Sequence, residues 1–245
     1  MTTRVEPLSI FLAFAGAAAI TGVTTSLQSY FPSVNAACFA AGALSTWLSL
    51  VIVLIRLRRE YLGPLSAAMG VTLVRGLLIS LVAGFALGPA PIGPALWAPG
   101  VVYGLASLAD RLDGALARRM GTVTALGAKF DVTTDAVGLL VAPLVGVRWG
   151  RLPPWYLALA FAYPLFRVAL RLRRARGLAV FPERLRLDPR ARFFAGVQMT
   201  VVAVALVPLL PRSFTWTVAT LAMLPTVALF VGEWCLVTRS SPSRE

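Results

Sequence analysis

The sequence predicts an all-α fold, a polytopic membrane bundle of about eight transmembrane helices. Three observations carry that expectation. Of the 245 residues, 58% are hydrophobic and only 13% are charged, whereas a soluble domain carries about 45–50% apolar and about 25% charged residues. The mean hydropathy is +0.79. Apolar runs also recur at the length of about 20 residues that a helix rising about 1.5 Å per residue needs to cross about 30 Å of hydrocarbon.

In chain order the runs lie near 8–26, 36–55, 64–88, 95–113, 127–146, 154–171, 193–210 and 214–237. The first is long and poor in a small-residue cleavage pattern followed by a polar mature chain, since a second apolar run follows at once, so it is expected to be retained as a span rather than removed as a signal peptide. The second ends at Arg56, Arg58 and Arg59, the fourth is followed by Arg111, Arg118 and Arg119, and the 171–192 stretch after the sixth holds eight arginines. The intervening connections are poor in charge: none at 27–35 or 89–94, Arg148 and Arg151 at 147–153, and Arg212 at 211–213. By the positive-inside rule both termini and the loops after even-numbered spans face the cytoplasm, as in a multi-pass protein of the cell (inner) membrane. The 171–192 stretch suits a solvated, headgroup-binding loop or the anchoring of a phosphorylated substrate.

Composition also removes whole classes of chemistry. Histidine is absent, which excludes imidazole bases, Ser-His-Asp triads and His-ligated zinc. Cys38 and Cys235 lie in apolar segments without a CxxC partner, so they read as packing residues. The formal charge is +13, but the basic residues sit between apolar runs rather than on a soluble basic face, and no nucleic-acid partner is expected.

Four of the ten acidic residues fall between Asp110 and Asp135, where the fourth and fifth spans meet. Carboxylates at a membrane end are costly without partners, so a cluster there is a functional candidate by default. Asp110, Asp113 and Gly114 share one helix face, continued a turn later by Ala117 and Arg118. Gly127, Asp131 and Asp135 are each four apart and share a face of the next helix. A short turn around Gly121 would bring the two faces together.

Four adjacent carboxylates repel unless they are protonated or bridged by cations. Hard oxygen donors of this kind suit two divalent ions, Mg²⁺ or Mn²⁺, and phosphoryl or phosphodiester chemistry. Gly114, Ala117 and Gly127 would let a bulky ligand approach the backbone, and Arg118 supplies a forked donor for a diphosphate. Taken singly, the glycines could be helix-packing positions, Arg118 a snorkelling arginine, and the acids the lining of a cation or proton path as in a transporter. Clustering at one membrane end and the lack of a visible inverted repeat weigh against the transporter.

The full pattern reads Asp110-x2-Asp113-Gly114-x2-Ala117-Arg118-x8-Gly127-x3-Asp131-x3-Asp135. It resembles the signature of the CDP-alcohol phosphatidyltransferases, integral membrane enzymes of phospholipid synthesis. The resemblance implies a six-helix catalytic core, usually in a homodimer, with its site at the cytoplasmic membrane face. It divides the chain into an N-terminal two-helix extension at 1–60, a catalytic domain at 61–238 and a tail at 239–245.

By the same resemblance Asp110, Asp113, Asp131 and Asp135 are metal ligands and Asp135 is also the general base. Gly114 and Arg118 match contacts to the CDP moiety, Thr124 matches a further nucleotide contact, and Thr72 and Arg75 echo a Thr and an Arg of the family's first core span. Met69 stands where many members have Asn. Ala136 stands where members using phosphorylated acceptors often have Lys or Arg, a role open here to Lys129, Arg75, Arg167 or Arg171. The activity implied is metal-dependent transfer of a phosphatidyl group from a CDP-linked lipid, CDP-diacylglycerol above all, to a small alcohol, with release of CMP. The motif is equally compatible with a CDP-linked small alcohol as donor and diacylglycerol as acceptor.

Overall fold

The computed structural model describes residues 7–61, 67–120, 124–177 and 189–238. Eight α-helices occupy these residues: α1 Pro7–Tyr30, α2 Ala36–Glu60, α3 Ala67–Gly84, α4 Ala98–Met120, α5 Ala125–Arg148, α6 Ala158–Ala175, α7 Pro189–Leu206 and α8 Arg212–Thr238. Short 3₁₀ turns at Gly93–Trp97 and Pro154–Leu157 lead into α4 and α6. No strand occurs among the described residues.

The chain is an all-α membrane protein. By length and composition α1, α2, α5 and α8 can each cross a bilayer, and Pro154–Ala162, which runs from the 3₁₀ turn into α6, makes with Pro164–Ala175 a fifth candidate bent by 47°. Pro164 sits at that bend, where a ring without an N–H removes a hydrogen bond and crowds the preceding turn. The apolar parts of α3 and α7, Met69–Gly84 and Phe193–Leu206, are shorter. In α4 the charges of Asp110, Arg111 and Asp113 interrupt the apolar stretch.

α3 lies at the centre, packed against α2, α4 and α5, while α7 closes the bundle against α4, α5 and α8. Helices in lipid gain little from the hydrophobic effect between them, so close approach through small residues supplies the contact. A Cβ on Gly42 of α2 would overlap the Ala83 carbonyl oxygen of α3, and one on Gly84 would overlap the Phe39 ring. Phe39 in turn meets Phe85 edge-on at 5.0 Å between centroids. Gly16 of α1 leaves room for Trp47 of α2, whose indole N–H donates to the Ala13 carbonyl at 3.4 Å.

The N-terminal pair therefore grips α3 rather than standing apart from the bundle. Gly42→Val is expected to lower the melting temperature in detergent by an amount equivalent to about 1–3 kcal/mol of overpacking. Gly22→Val, where nothing lies within 4 Å of the added carbon, should leave it unchanged; equal effects would remove the special role of the α2–α3 contact.

A second buried cluster joins Leu50 and Leu54 of α2, Met69 of α3, and Leu126 and Phe130 of α5. Met69, at the position where the family resemblance anticipates Asn, is thus a packing residue, 1% exposed. At the end of α5 away from its aspartates, Trp155 and Trp216 meet edge-on at 5.4 Å and Arg212 lies 4.5 Å from the Trp216 ring, an arrangement typical of a membrane–water boundary. Deeper in the bundle, the Tyr156 hydroxyl donates to Gln198 Oε1. Gln198 Nε2 donates to the Ala222 carbonyl at 2.6 Å and to Thr226 Oγ1 at 3.0 Å. This satisfied polar network ties α7 to α8 and to the turn before α6.

Candidate active site

Three helices build the site. α5 starts at Thr124, whose Oγ1 accepts a hydrogen bond from the Gly127 N–H at 3.1 Å, an N-cap that satisfies one of the helix's free donors. From that start Leu126, Phe130 and Thr134 turn into the protein interior, which places Asp131 and Asp135, one turn apart, on the neighbouring flank. α4 brings Asp110 to the same place, and α3 brings Arg75.

Asp110, Asp131 and Asp135 each offer a carboxylate oxygen, and the three oxygens lie within 4.8 Å of one another. Arg75, 2% exposed, sits among them. Its Nη1 donates to Asp110 Oδ1, and its Nη2 donates to Asp135 Oδ1 at 2.6 Å and to the Asp131 carbonyl at 3.3 Å. Asp131 Oδ1 is 2.9 Å from Arg75 Nη1, yet this buried oxygen has no hydrogen bond.

One guanidinium against three ionised carboxylates leaves a net charge of −2 within a few ångströms, in a setting where the acid side chains are about a third exposed, at 30%, 37% and 32%. Such a donor set, hard oxygens with one buried oxygen unbonded and a surplus of negative charge, fits a divalent cation. A small cleft of about 10 Å³, room for one water-sized group, lies beside the group, bounded by Arg75, Asp110 and Asp135, with Tyr103, Ser107 and Met199 completing its wall.

The remaining sequence candidates fall as follows. Asp113, Gly114, Ala117 and Arg118 belong to the last turns of α4, and their side chains lie outside the described residues, as does the turn around Gly121. Thr124 and Gly127 are engaged with each other in the α5 cap. Thr72, one turn before Arg75, is 2% exposed. Lys129, Arg167 and Arg171 are exposed.

Two features escaped the sequence reading. Arg75 is expected only as an echo of a family arginine, and its position among three of the acids cannot be read from local spacing. Tyr103 and Ser107 were not singled out, although both carry a usable signal: they stand seven and three residues before Asp110 and so share its helix face.

No curated protein matches the chain. The family model for CDP-alcohol phosphatidyltransferase matches residues 65–232, a stretch that begins just before α3, contains every site residue named above and exceeds half of the sequence. The chain therefore belongs to the CDP-alcohol phosphatidyltransferase family, transferases of phospholipid biosynthesis that move a substituted phosphate group from a CDP-linked alcohol.

Proposed function

We propose that the protein transfers the phosphatidyl group of CDP-diacylglycerol to the hydroxyl of a small alcohol and releases CMP. The observation that carries this reading is the convergence of Asp110, Asp131 and Asp135 from two helices, their oxygens within 4.8 Å. Asp110, Asp113, Asp131 and Asp135 would hold two divalent ions, Mg²⁺ or Mn²⁺, which when bound offset the charge of the diphosphate and of the leaving CMP.

Asp135 acts as the base. It takes the proton of the acceptor hydroxyl, whose oxygen forms a bond to the lipid-side phosphorus as the bond from that phosphorus to the CMP oxygen breaks. Arg75 holds the Asp135 carboxylate through the 2.6 Å bond from Nη2. A carboxylate so paired works through placement against the hydroxyl more than through intrinsic basicity. Arg118 serves as a forked donor to the diphosphate, and Gly114, Ala117 and Gly127 keep the backbone open to the nucleotide, with Thr72 and Thr124 at its margins.

The arginine distribution along the chain supports placing this site and both termini on the cytoplasmic side of the cell membrane, with the lipid tails lying between helices. The two-helix extension at 1–60 serves to brace α3, and with it Arg75. The working unit is a homodimer, as the family resemblance implies.

The deciding experiment incubates purified protein in lipid with Mg²⁺, CDP-diacylglycerol and, in turn, glycerol 3-phosphate, serine, inositol phosphate and glycerol, reading CMP and lipid product together. A parallel arm supplies CDP-linked small alcohols with diacylglycerol. Product in the first arm supports the proposal, whereas product confined to the second reverses donor and acceptor. Asp113→Asn is expected to raise the Mg²⁺ concentration needed for half-maximal CMP release; an unchanged titration removes Asp113 from the metal set.

A further inference from the structure

Tyr103 stands on α4 two turns before Asp110, on the same face, and its side chain is 2% exposed. Its ring lies beside Gly138, where an added Cβ would come 3.7 Å from Tyr103 Cε2. The hydroxyl is buried and has no hydrogen-bond partner among the described residues, although it lies within electrostatic reach of Tyr156 first, then Asp135, Arg75 and Asp110. A buried hydroxyl left unbonded costs about 1–3 kcal/mol, and the adjoining cleft has room for a small polar group to pair with it. The residue lines the same cleft as Asp110 and Asp135. Ile79, which meets Gly138 beside the Tyr103 ring, and Met199 supply apolar wall to that cleft.

The two sides of the gap ask for complementary bonding. Ionised Asp135 only accepts, and the Tyr103 hydroxyl is free to donate. An alcohol hydroxyl is the small group that meets both demands, giving its proton to the carboxylate and accepting from the phenol. A lipid ester carbonyl accepts from Tyr103 but has nothing to give Asp135.

We propose that Tyr103 is a substrate-binding residue that seats the reacting hydroxyl of the acceptor alcohol against Asp135 by donating a hydrogen bond to its oxygen. The assignment rests on the transferase reading above. As the O–H bond breaks toward Asp135, the oxygen gains negative charge and accepts more strongly, so the Tyr103 bond tightens on the way to the transition state.

Tyr103→Phe removes one oxygen and preserves the ring. CMP release is measured against the alcohol that supports wild-type turnover, at saturating CDP-diacylglycerol, and then against CDP-diacylglycerol at saturating alcohol, with the melting temperature of both proteins. The expected result is a KM for the alcohol raised about tenfold, equivalent to about 1.4 kcal/mol, together with a lowered kcat because the bond tightens in the transition state, with the KM for CDP-diacylglycerol unchanged and the melting temperature not lowered. An unchanged alcohol KM, or a rise shared equally by both substrates, overturns the assignment, and a lowered melting temperature with unchanged alcohol KM marks the hydroxyl as structural. A wild type that releases no CMP with any alcohol overturns the transferase reading and this inference together, whereas normal wild-type turnover beside an unaltered variant overturns this inference alone.

Discussion

Asp135→Asn is expected to reduce CMP release by roughly 10²–10⁴-fold, the range that general base catalysis contributes, while binding of CDP-diacylglycerol remains detectable. The substitution is nearly isosteric. The amide oxygen can still accept the bond that Arg75 Nη2 now makes to Asp135 Oδ1 at 2.6 Å, so the local packing has no reason to change. What disappears is the capacity to take a proton and one negative charge of the cation-binding set. On the proposed reading the diphosphate and the acyl chains hold the lipid substrate, and Asp135 supplies only one of the cation ligands, so the two readouts should separate. Normal turnover by Asp135→Asn would show that another group accepts the proton.

The second large effect concerns Arg75. Removing a guanidinium that is 2% exposed and paired with three carboxylates leaves those acids facing one another across 4.8 Å or less. Breaking a buried ion pair costs about 3–5 kcal/mol. Because these acids are about a third exposed, Arg75→Met is expected at the lower end, about 3 kcal/mol, read as a depressed melting temperature in metal-free buffer. Mg²⁺ should then restore the variant by more than it stabilises the wild type, because the cation is the remaining source of positive charge for the cluster. Arg75→Lys keeps the charge but loses the fork that reaches Asp110 and Asp135 at once, and should recover only part of the loss. An Arg75→Met protein that melts like the wild type would mean that the acids do not depend on the guanidinium.

The helices were legible because each apolar run is long enough to demand one, and their ends were less so for physical reasons. The run at 64–88 outlasts α3, which stops at Gly84, because Phe85 and Ala86 are buried without being helical. Hydropathy reports burial there, not conformation. The opposite error occurs in α4, which continues to Met120 although the apolar signal ends near 113; Arg, Leu, Ala and Met sustain a helix well after it has left the apolar zone.

Within the site, the i, i+4 spacing of Asp131 and Asp135 could be read directly, since helical geometry is local; Asp113, expected on the face of Asp110, has its side chain outside the described residues. The insertion of Arg75 could not. It comes 35 residues before Asp110 and 60 before Asp135, and its position depends on which helices become neighbours. That choice is made by Gly42 against Ala83, by Gly84 against Phe39, and by the Leu50, Met69 and Phe130 cluster, contacts that no local periodicity encodes. The same holds for Tyr103, whose unbonded hydroxyl becomes visible only when α5 closes over it.

Everything in the proposed chemistry depends on whether the three gathered aspartates hold a divalent cation. The direct measurement is anomalous scattering from crystals of the wild-type protein grown with Mn²⁺. The account predicts a Mn²⁺ peak at about 2.0–2.2 Å from carboxylate oxygens of Asp110, Asp131 and Asp135. Crystals grown with saturating Mn²⁺ that show no peak between these residues, with Arg75 still bonded to all three, would contradict it.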